Sequence, residues 1–206
     1  MPRRQTAGRW WLACAALLSL GPTLGAQSGD LAGLRDRLDG PSFRVLTALV
    51  DSAQAAGLPV APLVSKVQEG LLKRAAAPAI VSATRGLLVR LRQSREALGP
   101  GASAPELEAG ASALRAGAGA AQLTALRAAR SSQGATVPLV VLADLIARGV
   151  PRDTAARAVQ AMAAANATDA AFNALRIGIE RDITAGMSPA AATGLRYRAL
   201  LGEKLP

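Results

Sequence analysis

The chain reads as an all-α protein, a multi-helix bundle or an irregular α-solenoid of short helices joined by Gly/Pro corners. Three observations predict this. Leu, Val and Ile recur at spacings of three and four, the period of a helical face. No convincing stretch alternates apolar and polar residues as a half-buried strand does. And one punctuation recurs, in Ala56-Gly57-Leu58-Pro59, in Lys73-Arg74 before Pro78, in Gly117-Ala118-Gly119, in Arg148-Gly149-Val150-Pro151 and in Gly186-Met187-Ser188-Pro189. A residue just past a helix end often takes the left-handed conformation, which glycine adopts without steric cost. Proline beyond it cannot continue the old helix but suits the start of the next.

Half of the 206 residues are hydrophobic but only 2% are aromatic, so the core must be built from Ala, Leu, Val and Ile. The first 26 residues read as a leader rather than as fold. Arg3, Arg4 and Arg9 form a basic start, Trp10–Leu20 is an uncharged apolar run, and Gly21-Pro22 breaks it before the small residues ending at Ala26. This is the layout of a secretory signal peptide, and the run is shorter than the roughly 20 residues that span a bilayer. Cys14 sits too early in the run for a lipid-attachment site. The expectation is therefore a single helical domain over 27–206, exported to the periplasm or the exterior, with no later transmembrane segment. Without the leader's three arginines the chain keeps 21 basic against 14 acidic residues, net +7.

Within 27–206 the elements follow in order. Leu31, Leu34 and Leu38 mark a short helix from Ser28 to Leu38. Phe43, Leu46, Val50 and Ala53 mark a second helix, which the Gly57–Pro59 corner closes. Leu63, Val67 and Leu71 mark a third, ended by Lys73 and Arg74. The longest runs from Pro78 to about Leu98, with Ile80, Leu87, Leu91 and Leu98 on one stripe. Residues 99–105 (Gly-Pro-Gly-Ala-Ser-Ala-Pro) form the strongest candidate for a linker and a soft division of the domain. Ser103 and Glu106 make a capping box that starts the next helix, carrying Leu107, Ala111 and Leu114. Three glycines between 110 and 119 weaken that helix. Leu123 and Leu126 give a short helix, and Ser131–Gly134 a loop. Val137–Leu142 is apolar enough for a buried strand, but Leu139, Leu142 and Ile146 keep the helical period. Ala155, Val159 and Met162 form one further face, and Asn166 and Thr168 a turn. Phe172, Leu175, Ile179 and Ile183 form the next face, with Arg176 and Glu180 paired outside at i,i+4. Ser188 caps the last helix and Pro189 begins it, with Leu195 and Ala199 along it. Corner spacings of 32 and 37 residues near the end approach the period of helix-pair repeats. Repeat-like stacking and an irregular bundle both satisfy this pattern.

Composition limits the chemistry. The chain has no histidine, and its one cysteine lies in the leader. Ser-His-Asp and Cys-His catalysis, disulfides and the common zinc sites are thereby excluded. The aspartates are scattered and form no calcium-loop motif. Gly117-Ala118-Gly119 lacks the preceding strand and third glycine of a phosphate loop. Asp144, inside the most apolar helix, is expected to face outward or to pair with Arg148 at i+4. No enzyme activity, metal or cofactor is expected.

Two functions remain. The first is an exported helical scaffold or interaction module whose partner is another envelope or extracellular protein. The second is a binder of anionic polymers such as lipopolysaccharide, acidic glycan or nucleic acid. Its candidate residues are Lys73, Arg74, Arg85, Arg90, Arg92 and Arg95, a stretch without an acid. Arg85 and Arg92 lie on one line opposite the leucine stripe, with Arg90 and Arg95 on its flanks. Guanidinium groups can fork onto phosphate or carboxylate oxygens. Sequence-specific nucleic-acid reading is not expected, because stacking aromatics and binding motifs are missing.

Overall fold

The structure, a computed structural model, describes residues 31–202. The leader and the start of the first expected helix lie outside the described residues. Among those described there is no strand. A 3-10 helix, Leu31–Arg37, precedes nine α-helices. These are α1 (Gly40–Ala55), α2 (Ala61–Leu72), α3 (Ala77–Leu98), α4 (Ala104–Ala116), α5 (Ala120–Ala129), α6 (Thr136–Ala147), α7 (Arg152–Ala164), α8 (Asp169–Thr184) and α9 (Pro189–Leu201).

The corners explain how so many short helices fit together. Gly57, Arg74, Gly117, Gly149 and Gly186 all have positive φ, as does Asn166. At each of these six corners the same two bonds close the helix. At the first, the Gly57 N–H reaches the carbonyl of Gln54 and the Leu58 N–H reaches that of Ala53. The pattern repeats at Arg74/Ala75, Gly117/Ala118, Gly149/Val150, Asn166/Ala167 and Gly186/Met187. This is a Schellman cap, which satisfies carbonyls that a helix end leaves open. At three corners the next residue, Leu58, Ala118 or Val150, drops into the core. Starts are equally local. Asp39, Ser103, Thr168 and Ser188 each accept a backbone N–H three residues on, and Ser103 with Glu106 completes the capping box.

The extensive contacts all join elements one or two apart in the chain: α1 with α3, α2 with α3, α3 with α4 and α5, α4 with α6, and onward to α7 with α9. That nearest-neighbour pattern is the one of a stacked helical array. A large core runs from α1 to α9, and a smaller one lies under the 3-10 helix around Leu31, Leu46, Val64, Val67 and Ile80. Across the 99–105 turn α3 packs on both α4 and α5.

Several expectations need correction. The glycines between 110 and 119 do not weaken α4, which runs through Gly110 to Ala116. Gly110 is where α4 meets α3: a Cβ there would sit 2.1 Å from Ser94 Oγ and 3.2 Å from Leu98 Cδ1. Close approach of two helices, not flexibility, is its role. The buried face of α3 is wider than the leucine stripe, taking in Thr84, Leu88 and Ser94 while Leu87 is only half-buried. The last helix buries Ala192 and Thr193 rather than Leu195 and Ala199. Arg176 and Glu180 do not pair. Arg176 reaches Asp144 at 3.4 Å and Glu180 takes Arg148 at 2.9 Å, because α6 lies against α8 and offers opposite charges across that contact.

Candidate functional site

The six basic residues singled out in the sequence go to four different places. Lys73 and Arg74 close α2. Lys73 Nζ lies 2.5 Å from Glu69 Oε1, and Arg74 is the exposed corner residue with φ 53°. Arg92 and Arg95 tie α3 to α1. Arg92 donates to Ser52 Oγ at 2.7 Å, and Arg95 donates to the carbonyls of Gly57 at 3.0 Å and Pro100 at 3.1 Å. Arg85 stands exposed, with no ion-pair partner among the described residues. Arg90 turns the other way, into a groove.

That groove follows from the packing. Both α2 and α4 lie on α3, but no extensive contact joins them to each other. The gap is about 700 Å³. Its floor and walls are apolar through Ala61, Pro62, Ala83, Leu87, Leu91 and Ala111. The charged groups around it are Lys66, Glu69, Arg90, Glu108 and Arg115, with Ser65 and Ser112 beside them.

The charges are not balanced evenly. Glu69 pairs with Lys66 and Lys73, and their hydrogen bonds and charges hold its carboxyl at about 2. Arg90 and Arg115 have no hydrogen bond or ion pair among the described residues. The guanidinium of Arg90 folds back over Gly86, where an added Cβ would sit 3.4 Å from Nη1. Its Nε is buried without an acceptor. Arg95 and Arg148 also bury an unpaired Nε, but each uses its terminal nitrogens elsewhere. Burial, and then the neighbouring charge of Arg115, push Arg90 below the usual guanidinium range. A guanidinium does not give up its proton in a protein, so this cost remains until an anion relieves it.

Three features were missed in the sequence. Arg115 sits 25 positions from Arg90, and nothing local marks it as Arg90's neighbour. Glu106 was legible only as a cap. It is also buried, accepting from Arg127 Nη1 at 2.6 Å and from the Ala135 N–H at 2.8 Å as well as from Ser103. A second buried charge, Arg130, is held by Asp169 at 2.6 Å, the Ala167 carbonyl at 2.6 Å and the Phe172 ring at 5.4 Å. Asp144 is half-buried and reaches Arg148 at 3.7 Å, the expected i+4 partner. No group of three or more metal-ligating side chains forms among the described residues, and no described helix is long and apolar enough to cross a membrane.

No protein-family model matches the chain, and neither the curated proteins nor the solved structures contain a match to it.

Proposed function

We propose that the chain is an exported helical interaction module that receives its partner in the groove between α2, α3 and α4. The carrying observation is Arg90: a half-buried cation with no acceptor, beside a second unpaired cation, over an apolar floor. A group left so is worth more bound than free, because a buried unpaired donor costs roughly 1–3 kcal/mol and a charge-assisted bond recovers it. Outside this groove, Arg92, Arg95, Arg127, Arg130, Arg148 and Arg196 are engaged in holding elements together. Export rests on the leader's composition.

The test is a photo-crosslinking amino acid placed in cells at Ser112, in the groove, and at Ala128, on the exposed side of α5. A discrete adduct from position 112 and none from 128 is expected. No adduct at 112, or the same adducts at both, overturns the groove as the binding surface.

A second reading, an anionic-polymer binder, is favoured by the exposed Lys73, Arg74 and Arg85. It requires heparin or DNA binding that weakens steeply with salt and weakens again in Arg74→Ala with Arg85→Ala.

A further inference from the structure

We infer that the groove recognises an apolar peptide segment carrying one isolated carboxylate, and that it discriminates against polyanions; this rests on the groove being the binding surface. Four features carry it. Arg90 and Arg115 supply two unpaired forks, enough for one carboxylate held from two sides. Glu69 and Glu108 line the same groove, and Lys66 is already taken by Glu69. A second or third anion on the ligand would therefore meet an acid rather than a free cation, which is how an interface rejects a wrong partner. The rest of the lining is alanine, proline and leucine with two serines, Ser65 and Ser112, which offers a ligand apolar surface beside a few hydroxyl groups. And the groove lies open between two helices, so an occupant keeps one side in water, as an amphipathic segment does.

The two arginines divide the work. Arg90 is half-buried and lies over Gly86, so it has less freedom to lose on binding than a fully exposed side chain. Arg115 is exposed and able to close on the ligand from the α4 side. Polyanions retain Lys73, Arg74 and Arg85, which lie outside the lining of the groove.

The experiment is fluorescence anisotropy with the purified chain and a labelled probe peptide, Ala-Leu-Ala-Glu-Ala-Leu-Ala with blocked ends. The comparison peptides replace its Glu by Gln or by a run of four Glu. The single-Glu peptide is expected to bind at least tenfold tighter than either. Arg90→Gln should weaken it at least tenfold and abolish the preference over the Gln peptide. Glu108→Gln should tighten the four-Glu peptide, a gain that no folding defect can mimic. Equal binding of the Glu and Gln peptides, tighter binding of the four-Glu peptide, or an unchanged affinity in Arg90→Gln overturns the inference. So does binding of octanoate without binding of the peptide, which would make the groove a small-molecule site. A Ser112 adduct in cells alongside any of these outcomes leaves the groove as the binding surface and removes only this ligand class.

Discussion

Glu106 on α4 and Arg90 on α3 are both charged side chains drawn in from full exposure, and the protein treats them in opposite ways. Glu106 is 3% exposed and fully answered: Ser103, Arg127 and the Ala135 N–H together satisfy its carboxylate. Those partners come from the α4 cap, from α5 and from the start of α6, so one acid joins three segments. Arg90 is less buried but has no partner at all among the described residues. The first arrangement spends a charge on holding the stack together. The second leaves a charge without an internal partner. The two side chains differ less in burial than in how completely they are paired.

The largest expected effect breaks the first half of this comparison. Glu106→Ala leaves the Ala135 N–H and the Arg127 guanidinium without their acceptor and should cost about 3 kcal/mol in urea denaturation. A loss well under 1 kcal/mol would show that the hub is ornamental. Next comes acid. Burial opposes ionisation of Glu106, but the bonds from Ala135 and Ser103 and the charge of Arg127 outweigh it and hold the carboxyl below its ordinary 4.5. A lowered folded-state value means the stabilisation is present above the ordinary value and is lost as pH falls through the folded one. The native chain should therefore lose stability as pH falls below Glu106's ordinary 4.5, and Glu106→Gln should lose less over the same descent.

Gly110→Ala tests the contact beneath the groove. Its Cβ would collide with Ser94 Oγ and crowd Leu98 and Leu123, so these side chains must turn aside or α3 and α4 must separate, at a cost of about 1–3 kcal/mol. Ser94 itself sharpens the comparison. Its hydroxyl is buried and unpaired like the Arg90 Nε, but it faces Gly110 within the α3–α4 contact and is not among the groove-lining residues. It should be pure cost, and Ser94→Ala should raise stability by about 1 kcal/mol with no change in ligand binding. The smallest effect belongs to Arg90. Arg90→Met should leave stability unchanged or raise it by up to about 1 kcal/mol while binding is lost. A marked destabilisation would make Arg90 a structural residue and end its reading as a site.

How much of this could be read in the sequence depends on the range of the physics involved. The corners were legible because a Schellman cap needs only a residue that tolerates positive φ, and Gly57, Gly117, Gly149 and Gly186 announce it themselves. Arg74 was legible from its place before Pro78. The apolar faces of α7 and α8 were legible because period alone decides which residues share a side. The arginines were not. Helical geometry placed Arg85 and Arg92 on one line, but whether a guanidinium is free depends on what neighbouring helices present to it. Arg92 meets Ser52 and Arg95 meets the Gly57 carbonyl, 40 and 38 positions away.

The sequence by itself determined that this chain is helical, where most of its helices stop, and that two of them start at the capping serines Ser103 and Ser188, because each is settled by a few neighbouring residues. Only the tertiary structure decided that Gly110 is a contact rather than a break, that Glu106 is a hub rather than a cap alone, and that Arg90 with Arg115, not the whole arginine stretch, faces a groove. Those outcomes depend on which side chain lies opposite, across the packing of α2, α3 and α4, and no local rule of spacing or propensity carries that information.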